Sequence, residues 1–377
     1  MEAPVKVVMA LGPSTGGIGT HVAQLSADLR EHGVDVVVVT HPLTAEHFDL
    51  GAVQLCWPGS AGKIHSLRDF RALRRLVSTA DIVHAHGHQG ALLATLATRG
   101  LPKAPRLIVS QHNAVLAGSG RQALKRVSQR WVARHADLVT GASSDLVSEA
   151  LAFGAGRAEL AEVASPRVPQ LLAQHPADRA GRVQMRKALY SSCGPDLADL
   201  ADSAAPLVVT ISRIAPQKNL LVLLQAASRL RQACTWVVVG QGDPQLLAQL
   251  RQQGSALAAP VHFVGSSAKI DQWLRSAEVF VLPSQWEARA LVVQEAMAAG
   301  TPVVAADVGG LHDLVLGTGL LVPPADPGSI AQAVDSILAD PGLREELAAR
   351  GRQAAAALPD GFDTVSRWLA WYSQTLR

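Results

Sequence analysis

The sequence predicts an α/β protein made of two doubly wound, Rossmann-like domains facing a cleft. Two observations carry this. Short runs of Val, Ile and Leu alternate with helix-like segments along nearly the whole chain, and the alternation breaks once, around residues 165–205, before restarting. The runs are continuously apolar rather than alternating, which marks parallel strands covered on both faces. Length agrees, since 377 residues amount to two domains at about 150 residues each.

VKVVMA (5–10) is the first strand, followed by a Gly-rich turn and a helical stretch to about His32. VDVVVVT (34–40), DIVHAHG (81–87), RLIVSQH (106–112) and DLVTGAS (137–143) are the next strands, each with a helix-like segment after it. Between 165 and 205, SPRVPQ, HPADRAG and SSCGPDLADLADSAAP are rich in Pro, Ser and Asp and read as a connector with short helices. LVVTISR (207–213), TWVVVGQG (235–242), VHFVG (261–265), VFVLPS (279–284) and PVVAAD (302–307) resume the strands. LLVPP (320–324) precedes two helices, 327–338 and 342–356, and a last segment, 363–376, carries Trp368, Leu369, Trp371 and Tyr372. The division falls into domains 1–180 and 181–360. In doubly wound folds ligands bind beyond the carboxyl ends of the strands.

Composition narrows the class. Hydrophobic residues make 48% and charged residues 17%, which excludes a disordered or fibrous chain. No apolar run approaches the ~18 residues of a membrane span, and the opening MEAPVKVVMALGPSTGG does not read as a signal peptide. Cys56, Cys193 and Cys234 are far apart and odd in number, so neither a disulfide framework nor a structural zinc site is supported. A cytoplasmic chain is expected. Residues 1–180 carry 18 Lys and Arg against 14 Asp and Glu, and the remainder 16 against 17. Eleven of the 13 histidines also fall in the first 180 residues. No Lys/Arg block is interleaved with aromatics, which argues against nucleic acid.

Four stretches are candidates for chemistry. Gly12-Pro-Ser-Thr-Gly16-Gly17-Ile-Gly19 joins the first strand to the first helix, where glycine lets backbone N–H groups come close to an anion. It is either a phosphate-binding turn or an ordinary βα loop. It is not a P-loop, because GxxxxGK[ST] is absent. It does not suit NAD either, because the second strand ends at Thr40-His41 rather than at a carboxylate. His84-Ala-His86-Gly-His88 ends a parallel strand, so His84 and His86 share a face. His112 at the end of the next strand and His21 in the first helix would join them. Each histidine alone reads equally as a satisfied core side chain. A metal reading lacks a nearby carboxylate or cysteine, and no metal site is expected.

Ser212-Arg213-Ile-Ala-Pro-Gln-Lys218-Asn219 follows the first strand of the second half. Arg213 and Lys218 on that turn suit a diphosphate, the Arg as a fork and the Lys as a point charge, or form a solvated loop pair. Glu287 follows VFVLPS, and Glu295 sits in the helix beginning near Leu291. Carboxylates accept from pairs of sugar hydroxyls. Glu295 is flanked by Leu291, Val292, Val293 and by Ala296, Met297, Ala298, Ala299, so it is costly unless paired. Residues 121–134, with Arg121, Lys125, Arg126, Arg130 and Arg134, form a basic amphipathic helix. It suits peripheral docking on an anionic membrane or a phosphorylated lipid acceptor, or is a solvated face, and Arg68, Arg71, Arg74 and Arg75 would extend the basic surface.

GGIGTHV, VHAH, SRIAPQKN and E-x7-E followed by AMAAGTPVVAADVGG together resemble the family-4 retaining glycosyltransferases of the GT-B fold. VVVGQGDP, VHFVG and LLVPP-AD extend the likeness over nearly the whole chain, and E-x7-E with its AGTPVVA continuation is the specific part. The resemblance implies an N-terminal domain that holds the acceptor and a C-terminal domain that holds a UDP- or GDP-linked sugar. It implies that Arg213 and Lys218 hold the diphosphate, that Glu295 accepts from the ribose and that Glu287 contacts the transferred hexose. His86 would reach that sugar, Gly16 and Gly17 would approach the phosphate, and Ala290 and Leu291 would offer backbone amides to the donor. His21, His84, His112 and Arg289 are the acceptor-side candidates. The segment 361–377 would cross back onto the first domain. The acceptor would be a small cyclitol, a saccharide or a lipid-linked glycan, the protein a monomer or weak homodimer, and no cofactor or metal is implied. Where the family has glycines after the first Glu, this chain has Ala288 and Ala290 with Arg289 between them. Ala164-Ser-Pro-Arg-Val-Pro169 replaces an Asn-Gly-Val-Asp, and Leu311-His312-Asp313 replaces a usual Pro-Glu. A GT-B epimerase and a non-catalytic nucleotide-sugar-binding relative stay open as alternatives.

Overall fold

The computed structural model describes residues 4–14, 16–59, 64–113 and 121–377. They form two compact units, one of residues up to Val163 together with Pro359–Arg377, the other Ala164–Leu358.

The first unit holds a seven-stranded parallel sheet. Its strands are β1 (Lys6–Leu11), β2 (Asp35–Val39), β3 (Val53–Gln54), β4 (Ile82–His86), β5 (Arg106–Gln111), β6 (Leu138–Gly141) and β7 (Ala158–Leu160), in the order β3-β2-β1-β4-β5-β6-β7. Alternate residues serve opposite faces. Val7, Met9 and Leu11 of β1 pack in one core with Leu25, Leu29, Val36 and Val38. Val8 and Ala10 pack in the other with Val83, Ala85, Val109 and Ala94. That two-sided burial is why the strands read as unbroken apolar runs. The helix Gly361–Leu376 completes the first core with Val365, Trp368, Trp371 and Tyr372.

The second unit has six parallel strands, β8 (Leu207–Ile211), β9 (Thr235–Val239), β10 (Val261–Phe263), β11 (Val279–Leu282), β12 (Val303–Ala306) and β13 (Leu320–Val322), in the order β10-β9-β8-β11-β12-β13. Val208 and Val209 again face different cores. In each sheet the strand order reverses beside the first strand, between β1 and β4 and between β8 and β11. At such switch points the connections on the two sides leave in opposite directions and open a crevice at the carboxyl ends.

The expected boundary at 180/181 is corrected to 163/164. Residues 164–180 belong to the second unit because they are tied into it. Val168 and Leu171 of the helix Val168–Leu172 lie in its core. Arg352 donates to Leu171 O, Leu172 O and Ala298 O. The Pro/Ser/Asp-rich connector is likewise a built part of that unit. Its helix Arg179–Tyr190 buries Arg186, whose Nη1 meets Glu278 Oε2 at 2.5 Å, while Leu207 N donates to the same oxygen at 2.7 Å. Strands β3 and β7 had no sequence signal, being two and three residues long at the sheet edges. No helix among the described residues is long and apolar enough to cross a membrane.

Candidate active site

In the second unit the switch point between β8 and β11 is flanked by two of the stretches singled out in the sequence. After β8 the chain makes a single 3-10 turn, Pro216–Lys218, and leaves it through Asn219 at φ 54°. Asparagine is the non-glycine residue that tolerates this left-handed conformation best. The turn is stitched to the loop after β11. Gln285 N donates to Gln217 O at 2.9 Å, and Gln217 Nε2 donates to Trp286 O at 2.7 Å. These bonds bring Lys218 Nζ onto Glu287 Oε1 as a close ion pair. Ser284 Oγ donates to the same carboxylate oxygen at 2.6 Å. The two charged side chains are only 14% and 11% exposed, so water screens them weakly.

Two glycines let neighbouring loops close around this cluster. Gly309 has φ 49°, and a Cβ there would lie 2.4 Å from Glu287 O. The next residue, Gly310, donates its N–H to that carbonyl at 2.8 Å. Gly240 has φ 146°, and a Cβ would lie 1.9 Å from Ser212 O. Only glycine allows either close approach. Arg213 is exposed and its side chain makes no hydrogen bond among the described residues. Arg289 is half-buried, Ala290 is buried, and Ala290 caps the helix Leu291–Ala299 without a side-chain bond. The first N–H groups of that helix therefore have no side-chain cap, and the positive end of its dipole lies behind them.

Glu295 lies inside the same helix, 7% exposed. It is paired, as an acid in an apolar stretch must be. Ser165 Oγ donates to its Oε1 at 2.6 Å, and Arg167 Nη1 lies 3.6 Å from its Oε2. Gln294 Oε1 accepts from Ser165 N at 2.9 Å. Burial pushes the Glu295 carboxyl up, against the opposing hydrogen bond from Ser165 and the charge of Arg167. Sequence reading missed Ser284, Gln217, Ser165 and Arg167. Ser165 and Arg167 sit in the segment that replaces Asn-Gly-Val-Asp, so the departure itself was their signal.

In the first unit the crevice between β1 and β4 is flanked by the glycine turn and the histidine run. Gly16 caps the helix Gly17–Glu31 with no side chain in the way, and nothing among the described residues lies within 4 Å of where its Cβ would stand. Thr15 lies outside the described residues. The histidines separate into two kinds. His84 is fully buried, and both its nitrogens are taken, Nδ1 by Tyr372 Oη and Nε2 by Ser110 Oγ, each at 2.8 Å. This is the core-histidine arrangement, sealed by the C-terminal helix. His86, two residues on, faces His112, with Nδ1 3.2 Å from His112 Nε2, and its own Nε2 is buried without a partner. His21 lies beside both rings, at centroid distances of 6.0 and 5.5 Å. Burial holds all of these rings neutral. It lowers His21 to about 4 and His112 to about 3, and His84 and His86 well below the ordinary value.

The basic helix is Arg121–His135. It buries Val132 and Ala133 and leaves Leu124 at 73% and Val127 at 61% exposure beside Lys125, Arg126 and Arg130. Arg74 does not extend that surface, because its Nη1 donates to the carbonyls of Ala97 and Arg99 at the end of the helix Gly87–Thr98.

The sequence matches two family descriptions, a glycosyl transferase 4-like domain over residues 16–166 and glycosyl transferases group 1 over residues 205–340. A D-inositol 3-phosphate glycosyltransferase of Jonesia denitrificans is 31% identical, over 96% of this chain and 91% of its own length. A glycogen synthase of Mycobacterium tuberculosis is 26% identical, over 92% of this chain and 88% of its own. Among solved structures, Anabaena HepE in complex with UDP superposes with a TM-score of 0.81 at 19% identity, covering 98% of this chain and 100% of that one. The sucrose-phosphate synthase of Thermosynechococcus elongatus superposes at 0.77 and 23% identity, covering 98% of each chain.

Proposed function

The chain belongs to the group 1, family-4-like glycosyltransferases of GT-B fold, and from that premise we propose that it is a retaining enzyme moving a hexose-type sugar from a UDP- or GDP-linked donor to a hydroxyl acceptor. The observation that carries the proposal is the Lys218–Glu287–Ser284 cluster beside the N-terminus of the helix Leu291–Ala299. A half-buried cation, a carboxylate and uncapped helix N–H groups are what a leaving diphosphate and a sugar's hydroxyls need within one loop's reach.

Arg213 and Lys218 stabilise the charge that grows on the leaving diphosphate, in the place a metal ion fills in other designs. Glu287 accepts from hydroxyls of the transferred sugar. Glu295 accepts from the ribose, its Oε2 being the less committed oxygen. On the first unit, the unpartnered Nε2 of His86 and the uncrowded backbone at Gly16 are the groups assigned to substrate. The leaving phosphate takes the acceptor's proton on the face it departs from, so no side-chain nucleophile is assigned. The acceptor is a small cyclitol, a saccharide or a lipid-linked glycan. The name of the Jonesia denitrificans relative favours a cyclitol phosphate, and Leu124 and Val127 amid basic residues make the helix Arg121–His135 the segment assigned to anionic lipid.

Proton NMR of the product, with a panel of UDP- and GDP-sugars and cyclitol or saccharide acceptors, tests this reading. Transfer with the donor's anomeric configuration kept is expected. Inversion overturns the mechanism, and a changed sugar released without acceptor identifies an epimerase instead.

A further inference from the structure

His21, His86 and His112 come from three different elements and converge at the carboxyl end of the first sheet. His86 ends β4, and its register partner on β5 is Ser110, so His112 lies two residues beyond that partner on the same face. His21 arrives from the helix Gly17–Glu31. Each ring brings a nitrogen within 4.8 Å of the other two. The tightest approach is the 3.2 Å between His86 Nδ1 and His112 Nε2. All three residues are at most 9% exposed.

Their partners are each other. His86 Nδ1 has only His112, its Nε2 has none, and His21 makes no side-chain hydrogen bond among the described residues. His84, next to them, shows how this fold satisfies a histidine when it intends a structural one, with a hydroxyl on each nitrogen. Three neutral imidazoles turned toward one another, with no hydroxyl, carbonyl or carboxylate bonded to them among the described residues, are an arrangement that buried polar groups otherwise avoid.

The same arrangement is what a transition-metal ion needs. A tetrahedral zinc ion with Zn–N bonds of about 2.0–2.1 Å holds its ligand nitrogens about 3.4 Å apart. The His86–His112 pair already stands at that spacing, and a small rotation of His21 closes the third edge. Neutral imidazole suits zinc and its first-row neighbours, and three such ligands leave one position open.

We infer that His21, His86 and His112 form a binding site for one first-row transition-metal dication, zinc being the expected occupant, with a fourth position open to water or a ligand oxygen. No carboxylate or cysteine stands directly beside His84 or His86 in the sequence. The fold supplies His21 from a distant helix instead. One consequence rests on the proposed function. An ion on Nδ1 of His86 leaves the ring proton on Nε2, making that nitrogen a fixed donor toward a sugar hydroxyl.

The test uses the full chain without a histidine tag, stripped with a chelator and titrated with zinc against a chromophoric competitor and with cobalt by visible absorption. One ion per chain and a tetrahedral cobalt spectrum are expected. His21→Gln and His112→Asn should each weaken zinc by about 100-fold or more, while the exposed-site variants His32→Ala and His47→Ala leave it unchanged. Hydrogen exchange of the unmutated chain guards against variants that fail to fold. Added zinc should slow exchange at the start of the helix Gly17–Glu31 and at the ends of β4 and β5. Absence of saturable binding, full affinity in both ligand variants, or protection confined to other segments overturns the site. A chain that transfers sugar but takes no zinc contradicts this inference alone. A chain that takes zinc but transfers nothing contradicts the proposed function alone.

Discussion

The two units share a topology but bury opposite kinds of polar chemistry. Among the described residues, every buried histidine lies in the first unit and every buried Asp, Glu, Lys or Arg in the second. The second unit holds Arg186 against Glu278, and its buried Glu287 and Glu295 meet Lys218 and Arg167. The first holds a knot of neutral imidazoles and hydroxyls. A Rossmann-like sheet dictates where a ligand binds, at the switch point, and leaves its chemistry to the few side chains that the loops place there. Fixed charges suit an anionic, hydroxyl-rich donor. Neutral rings with free lone pairs suit uncharged hydroxyls or a metal ion.

This contrast can be broken in order of size. The largest effect is expected for Glu278→Ala, which strands Arg186 in the core and costs about 3–5 kcal/mol. Hydrogen exchange resolved by segment should speed up in the second unit and stay unchanged in the first. Equal loosening of both would mean that they fold as one block. Next, Lys218→Ala should lower kcat by about 100- to 1000-fold, the scale of one lost preorganised charge contact. Arg213→Ala should cost less, because Arg213 is exposed and screened.

Third comes acid. In the metal-free chain, His21 and His112 stay neutral when folded, with values lowered to about 4 and about 3. The unfolded chain takes up their protons below about pH 6.5, so stability is full above that pH and falls as pH drops toward 4. Each such histidine contributes a slope of up to about 1.4 kcal/mol per pH unit. Melting of the first unit should show this slope, and His112→Asn should flatten it. A slope carried by the second unit would contradict the assignment. The smallest effect is for Glu295→Gln, which keeps an acceptor for Ser165 Oγ and removes only the charge. Donor KM should rise about tenfold, or about 1.4 kcal/mol, with the melting temperature nearly unmoved.

Much of this was legible in the sequence. Ten of the thirteen strands among the described residues announced themselves as apolar runs, because parallel strands covered on both faces must be apolar throughout, and β13 lies in the short run LLVPP that was marked but not read as a strand. The two without any run, β3 and β7, are edge strands too short to carry a pattern. Glu295 was found because a charge in an apolar stretch stands out, and Lys218 and Glu287 because each follows a strand, Lys218 five residues after Arg213 on one turn. Their supports did not stand out. Ser284, Ser165 and Gln217 are ordinary residues until the fold sets them within 2.6–2.9 Å of a partner. The boundary at 163 was hidden for a related reason. Pro, Ser and Asp spell a connector locally, whereas the burial of Val168 and Leu171 depends on helices more than a hundred residues away, and that of Arg186 on Glu278, 92 residues on. Nor does spacing alone distinguish His84 from His86. Both face one way on one strand, and the hydroxyls of Tyr372, from the C-terminal helix, and of Ser110 separate a structural ring from an open one.

The most direct test of the account is calorimetric titration of UDP and GDP into the wild-type chain and into Lys218→Ala, with hydrogen exchange of the wild-type complex. Saturable binding of at least one nucleotide is expected, weakened about tenfold or more by the substitution. Protection is expected at residues 212–219, 284–291 and 309–310. Undiminished binding by Lys218→Ala, or protection found only in the first unit, would contradict the account.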